Sequence, residues 1–405
     1  MTLPNPIPLN LDNAATTPID PEVLAAMRET WLNVAGNPAS QHTLGRQARH
    51  FLDEARDGVA RLLGARVDRF DADRLVLTSG GTEANNLALR GLAGRPPGRI
   101  IVSSIEHPSI AQLVTPLSAA GFTVERLAVD RNGQIDLNDA ERHIVSGTRL
   151  VSVMLGNNET GVLQPVPVIA RLCRERGVLF HTDAVQAVGK LPVDFHQLGV
   201  DALTVTPHKF HGPLGIGGLL VRAGLALEPS LFGGSQQLGL RPGTESVALT
   251  VGFHRALQQA TVELAERSLR IASLRQKLET TLLENCPEVT IQGAAVARLP
   301  HVSNVAFPGL DRQSLLMALD MAGVACSTGS TCASGSSEPS PVLQAMGLDD
   351  AIVRSALRFS LSARTTDDEI TQALERIVNT CNDLRRQSTA RKYAAPPRAK
   401  RSDSL

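Results

Sequence analysis

Along residues 43–64, TLGRQARHFLDEARDGVARLLG, apolar side chains fall at Leu44, Ala48, Phe51, Leu52, Ala55, Val59 and Leu62. Steps of three and four put them on one stripe of a helix. A second helix is expected after Asp20, with Pro21 at its first position, where a missing N–H costs nothing. Then the pattern changes. RLVLTS (74–79), RIIVSS (99–104), LVSVMLG (150–156), GVLFHTD (177–183) and DALTVTPHK (201–209) are short apolar runs with polar ends, each followed by a helix-like stretch. Strand, loop and helix in repetition predict an α/β domain, its mostly parallel sheet flanked by helices on both faces.

The segment 244–285 reads as mostly helical and leads into a smaller α+β domain. There HVSNVAF, a loop at 325–340 and ALRFSL (356–361) surround shorter helices. The expected division is a large domain over 21–260 and a small one over 261–387, with residues 1–20 completing the small domain and the site. The end, STARKYAAPPRAKRSDSL (388–405), lacks apolar periodicity and mixes Pro, Ala and basic residues, so it is expected to be a disordered tail.

At 405 residues, two or three domains are expected. Lys and Arg total 40 and Asp and Glu total 40, a balance unsuited to capturing nucleic acid or an acidic membrane. Aromatic residues make up 3%, too few for a base-stacking platform. The start, MTLPNPIPLN, has neither the basic nor the apolar region of a signal peptide, and no apolar run approaches the roughly 18 residues of a membrane span. Five cysteines, at 173, 286, 326, 332 and 381, do not pair into a disulfide framework, so a reducing cytoplasm is expected.

The candidate chemistry sits just past the strand ends. Thr82, His107, Asn158, Asp183 and Lys209 each follow an apolar run by a few positions. Any one could be a cap or turn residue, but ligands gather at the carboxyl ends of such sheets, and five together read as one site. Lys209, in TVTPHKFHGPLGIGG, could form a Schiff base with a carbonyl cofactor. Asp183, in FHTDAVQ, suits a carboxylate that keeps a heterocyclic nitrogen protonated, and Gln186 could donate to a ring oxygen. In SGGTEANN (79–86), Gly81 and Thr82 open a helix whose N–H groups and hydroxyl suit a phosphate. The glycines follow neither a dinucleotide nor a Walker pattern. Phosphate cradle, ring-nitrogen carboxylate and Schiff-base lysine together point to pyridoxal 5'-phosphate. His208 and His211 have no cysteine or carboxylate at ligand spacing, so no metal is expected.

The motifs LDNAATTP, GNPASQH, TSGGTEANN, EHPS, NNETG, HTDAVQ, TPHKFHGPLGIGG, LRPGTE, GSTCASGSSEPS and LRFSL span roughly residues 9–385. In them the chain resembles the cysteine desulfurases of the NifS and IscS type, within the class V aminotransferase group of fold-type-I pyridoxal phosphate enzymes. The resemblance implies that Lys209 binds the cofactor and moves the substrate's Cα proton, and that His107 stacks on the ring and shares in proton transfer. It implies Asp183 on the ring nitrogen, Gln186 on the phenolic oxygen, and Thr82, Thr206 and His208 on the phosphate. Thr244, in RPGTE, would reach the phosphate of a neighbouring subunit, which implies a homodimer. Asn158 and Arg358 would hold the substrate L-cysteine, Arg358 by its carboxylate. Cys332 would accept the sulfur, for delivery to an iron–sulfur scaffold or another sulfur-carrier protein.

Cys332 lies midway along ACSTGSTCASGSSEPS (325–340), a run of small residues that cannot bury enough apolar area to order itself firmly. A mobile thiol suits a nucleophile that must reach a buried substrate and later an outside acceptor. Cys326 follows the apolar GVA and is expected to be tethered and partly buried. Cys173 and Cys381 read as helix packing, and Cys286 as a residue near a helix end. One stretch departs from the family. Where its members read Gly-Gly-Gly-Gln-Glu-Arg-Gly before Arg-x-Gly-Thr, residues 233–239 are GGSQQLG, with Gln237 and Leu238 in place of the charged pair. A transaminase or selenocysteine lyase on the same cofactor, and a catalytically silent scaffold subunit, remain the alternatives.

Overall fold

The structure, a computed structural model, describes residues 8–68, 70–329 and 338–394, with side chains up to 387. Its strands are β1 (Leu9–Asn10), β2 (Arg74–Thr78), β3 (Arg99–Ser103), β4 (Thr123–Leu127), β5 (Thr148–Ser152), β6 (Leu179–Asp183), β7 (Ala202–Val205), β8 (Gly217–Val221), β9 (Thr290–Ile291), β10 (Val302–Ala306), β11 (Val324–Ala325) and β12 (Ala356–Ser360). Seven form one twisted sheet in the order β2-β8-β7-β6-β5-β3-β4. β8 runs antiparallel to both neighbours and the other pairs are parallel. Parallel strands covered on both faces need continuous apolar runs, and the interiors of β3, β6 and β7 are buried throughout, as is β5 apart from Arg149.

Helix α1 (Pro21–Asn33) begins as its sequence predicts. Asp20 caps it by accepting from the Glu22 N–H, and Pro21 fills the first turn. Helix α2 (Thr43–Leu62) buries Ala48, Leu52, Ala55 and Val59. Leu44 and Phe51, expected on the same stripe, are exposed, and Gly45 and Gly58 take the buried places. The helix approaches its neighbours too closely for bulk there: a side chain at Gly58 would strike the His254 ring. Helix α3 (Gly81–Ala93) starts directly after β2. The run 150–156, expected as strand, leaves the sheet at Ser152 and turns into the site.

A second core lies around the antiparallel sheet β12-β10-β9, packed by the helices Leu264–Asn285, Arg312–Met321 and Asp367–Ala394. Leu11 belongs to this core, and β1 pairs with β11, so the N-terminal segment is part of the smaller lobe. From there it crosses to the large sheet, where the Thr17 N–H donates to the His208 carbonyl and the Asp20 N–H to that of His211. The last helix continues to Ala394, past the tail boundary expected at 388. Its Arg, Gln, Ala and Lys residues are good helix formers, so the helix propagates beyond Cys381, the last buried side chain among those described. The rest of the expected tail lies outside the described residues.

Candidate active site

A cavity of about 300 Å³ opens at the carboxyl ends of the large sheet, where the smaller lobe meets it. Gly81, Thr82, His107, Asn158, Asp183, Gln186, Thr206, His208, Lys209 and Arg358 all line it. The strand ends therefore do converge as the sequence suggests. Thr244 is exposed and does not line this cavity. Cys332 lies outside the described residues, but Gly329, three positions before it, forms part of the wall.

Lys209 ends the short turn Pro207–Lys209 that follows β7. Its Nζ donates to the carbonyls of Ala14 and Ala15, at 2.7 and 2.6 Å. Those carbonyls come from the N-terminal crossing segment, which positions the lysine amine from the far lobe. Buried Lys190 donates to the carbonyl of Lys209 at 2.5 Å. Burial, reinforced by the Lys209 charge, pushes the Lys190 pKa down to about 7.

Asp183 ends β6 and is buried. Its Oδ1 accepts the Val185 N–H at 2.9 Å and its Oδ2 accepts the Asn85 amide at 2.7 Å. Asn85 uses its other N–H on Ser109 Oγ at 2.8 Å, and Ser109 Oγ lies 2.8 Å from His107 Nδ1. The Ser109 N–H also donates to that nitrogen, at 3.1 Å. Because the Ser109 backbone N–H donates to Nδ1, that nitrogen is the acceptor and His107 is the tautomer protonated on Nε2, with the Ser109 hydroxyl free to add a second donation to Nδ1 while it accepts from Asn85. Burial holds the His107 pKa down, against Asp183 and with Lys209 and Arg358. His107 thus caps the helix Pro108–Ala111 and also lines the cavity.

Beneath His107, Glu106 is fully buried. Its Oε1 accepts from Ser103 Oγ at 2.5 Å and from the Met154 N–H at 2.8 Å. Burial raises its carboxyl to about 8, with a smaller contribution from Asp183. Helix α3 presents its N-terminus to the cavity through Gly81 and Thr82. A Cβ at Gly217 would lie 2.7 Å from the Gly80 Cα, so only glycine lets β8 pass behind this turn. His208 reaches Thr16 Oγ1 at 3.1 Å, and burial lowers its pKa to about 4. The Thr206 hydroxyl donates to the Ile216 carbonyl at 3.0 Å, so it faces any phosphate as an acceptor unless it turns.

Arg358 is a fully buried side chain on β12. Its Nη2 donates to Asp12 Oδ1 at 2.7 Å, and its Nη1 to the carbonyls of Asn158 and Gly329 at 3.0 and 3.2 Å. Glu159, next to Asn158, lies close to both flanks of the segment that carries Cys332. It accepts from Ser340 Oγ at 2.5 Å, and its Oε2 would lie 2.7 Å from a Cβ at Gly329, whose φ is +98°. Cys326 is partly buried, and burial pushes its thiol up to about 12. Cys286 caps the helix Leu264–Asn285 and shares a thiol hydrogen bond with Cys381, midway along the last helix, a contact that spacing alone did not reveal.

These groups fit pyridoxal phosphate. A carboxylate, a helix N-terminus with a hydroxyl, a lysine amine and an imidazole all line the one cavity. Asn85 Oδ1, buried beside Asp183, has no partner among the described residues, so Asn85 is held by its two donated bonds alone. Three contributors escaped the sequence: Asn85, the Ala14 and Ala15 carbonyls, and Lys190. The adjacent-asparagine run EANN on a helix at a strand end was the only visible signal, for Asn85.

Gln237, one of the two departures, pairs with an edge strand. Leu77 N–H donates to its Oε1 at 2.6 Å, and its Nε2 returns a bond to the Leu77 carbonyl at 2.9 Å. Gln237 and Leu238 both adopt positive φ, 51° and 60°. Nearby, Arg241 pairs with Glu83 of α3 at 2.9 Å.

Residues 9–373 match the class-V aminotransferase family. A cysteine desulfurase of Trichormus azollae is 41% identical over 367 residues, covering 90% of each chain. The cysteine desulfurase NifS of Azotobacter vinelandii is 38% identical over 380 residues, covering 93% of this chain and 94% of the relative. Among solved structures, a NifS-like protein from Rickettsia africae superposes with a TM-score of 0.85 at 30% identity, over 93% of this chain and 99% of that one. SspA in complex with cysteine superposes with a TM-score of 0.76 at 31% identity, over 88% and 99%.

Proposed function

This chain belongs to the class-V aminotransferase family, and we propose that within it the protein is an L-cysteine desulfurase, with pyridoxal 5'-phosphate as its cofactor. The observation that carries this reading is one cavity that joins the Lys209 amine, the Asp183 carboxylate and the Arg358 guanidinium, with Gly329 in its wall three residues before Cys332. The structural relative solved with cysteine supports the same substrate.

Bound in the cavity, pyridoxal phosphate supplies an electron sink for negative charge at the substrate's α-carbon. Asp183 sits where it would keep the ring nitrogen protonated, and the α3 N-terminus with Thr82 and His208 would hold the phosphate. Arg358 binds the substrate carboxylate, a planar fork matched to a planar anion. Its present partners on Nη1 are backbone carbonyls, which a carboxylate outcompetes. Asn158 orients the substrate beside it. Lys209 takes the proton from Cα and returns one. His107 keeps its own proton at Nε2. The Cys332 thiolate attacks the substrate sulfur, the C–S bond breaks, and a proton replaces sulfur on the substrate carbon. One L-cysteine and one thiol thereby give one L-alanine and one persulfide.

The persulfide passes to a sulfur-acceptor protein, an iron–sulfur scaffold or another carrier. The working unit is a homodimer in which Thr244 completes the partner's phosphate site. Support comes from apolar side chains left in water near that segment: Trp31 and Leu32 of α1 are 59% and 72% exposed, and Phe232 and Leu238 are 89% and 81%. No described helix is long and apolar enough to cross a membrane. The cytoplasm is the proposed compartment, in keeping with the buried, unbridged thiols of Cys173, Cys286 and Cys381.

Purified protein given L-cysteine should release alanine and gain one sulfur atom in its intact mass, and adding a thiol reductant should then release that sulfur as sulfide. Lys209→Ala should abolish turnover and the borohydride-reducible link to the cofactor. Alanine formation that requires a keto acid, or a cofactor still reducibly linked in Lys209→Ala, overturns the reading.

A further inference from the structure

His301 lies at the start of β10 in the smaller lobe, 1% exposed, and no motif points to it. Its Nε2 is 3.3 Å from Oε1 of Gln186 in the large domain. Gln186 Nε2 is 3.1 Å from the Ala14 carbonyl. A carbonyl oxygen only accepts, so the Gln186 amide nitrogen must face Ala14. The Gln186 oxygen must then face His301, and His301 must carry a proton on Nε2 to meet it. Its Nδ1, buried and without a partner among the described residues, is then the bare nitrogen of the neutral ring. The groups facing this ring all favour that form: burial holds its pKa well down, aided by Lys190, Arg358, Arg275 and Lys209.

We infer that His301 is a positioning residue for the reaction: as the neutral Nε2–H tautomer it locks the side-chain amide of Gln186, leaving the second Gln186 N–H to donate to the cofactor's ring oxygen. This rests on the reading of Gln186 as the ring-oxygen partner. The lock spans the two lobes. With His301 unable to donate, Gln186 Oε1 would be a buried acceptor without its bond, and the bond to the Ala14 carbonyl would be left to hold the amide.

A donor on the ring oxygen weakens that oxygen's hold on the proton it shares with the nitrogen linking Lys209 to the cofactor. Losing the donor therefore raises the pH midpoint of the visible band. His301→Leu in the cofactor-loaded protein should raise that midpoint by about half a unit to one unit, the worth of one neutral hydrogen bond. Gln186→Ala should raise it similarly, and the double variant should go no further than Gln186→Ala. His301→Asn, which restores an N–H donor, should return most of the wild-type midpoint. If Gln186→Ala moves the midpoint and His301→Leu does not, the role of His301 is overturned and Gln186 keeps its own. If Gln186→Ala leaves it unmoved, the ring-oxygen reading itself fails. Should the leucine variant not fold, heteronuclear NMR of the imidazole nitrogens, with His301→Asn to assign the signal, gives the tautomer directly. A proton on Nδ1 instead of Nε2 would overturn the inference.

Discussion

Asn85 donates to Asp183 Oδ2 at 2.7 Å, and with its second N–H it holds Ser109, which in turn fixes His107. One side chain on the first turns of α3 thereby sets both the carboxylate expected at the ring nitrogen and the imidazole expected over the ring. Asn85→Leu removes a hydrogen bond to a charged group in a buried place, which contributes about 1.5–3 kcal/mol. Cofactor affinity, measured by titrating the apo protein, should fall at least about tenfold. Unchanged affinity would mean that Val185 and the surrounding fold hold Asp183 unaided.

Glu106 makes stability depend on pH. Unfolded, its carboxyl ionises near the ordinary 4.5, whereas the folded one keeps its proton to about 8. The native state binds the extra proton between those values, so this contribution is complete below 4.5 and is lost as pH rises towards 8. Glu106→Gln keeps the acceptor used by Ser103 and Met154 and abolishes the titration. Urea unfolding at about pH 5 and about pH 8 should show wild type losing more stability over that interval than the variant. Equal losses would mean that Glu106 is ionised in the fold.

The two loop-region cysteines should separate cleanly. Burial holds the Cys326 thiol protonated, up to about 12, so it is a poor nucleophile at neutral pH. Cys332→Ser should bind cofactor and cysteine yet release almost no sulfide, and Cys326→Ser should keep most of its activity. Peptide mapping after a pulse of cysteine reads the site directly: extra sulfur on Cys326, with Cys332→Ser still turning over, would reverse the assignment.

Thr244 is exposed and stands apart from its own chain's cavity, which gives the proposed dimer a sharp test. Lys209→Ala chains mixed with Thr244→Ala chains should form heterodimers with one intact site and recover activity that neither parent has. Demonstrated subunit exchange with no recovery would place Thr244 in its own chain's site.

What sequence could reveal here followed chain order. Asp183, His107 and Lys209 each end or follow an apolar run, so a strand pattern locates them and the sheet brings them together. The Ala14 and Ala15 carbonyls could not be found that way, because a backbone acceptor has no residue-type signature and these meet Lys209 across 195 and 194 residues of sequence. His301 was hidden for a related reason: its contact with Gln186 crosses between lobes. Lys190 reads as a surface charge until its burial is known. On α2, hydrophobic spacing placed Leu44 and Phe51 inside, but close packing gave those places to glycine. Gln237 looked like the loss of a charge, when its amide was gaining a backbone partner.

That last pairing bears on how the protein behaves when concentrated. β2 is an edge strand, and an uncovered edge is a template on which a strand from another molecule can add. At Leu77 the side-chain amide of Gln237 imitates such an incoming strand, filling both the donor and the acceptor with a group that offers no further strand behind it. The large sheet is thus closed to growth at that point by a single residue, and self-association by strand addition there would first have to displace two hydrogen bonds.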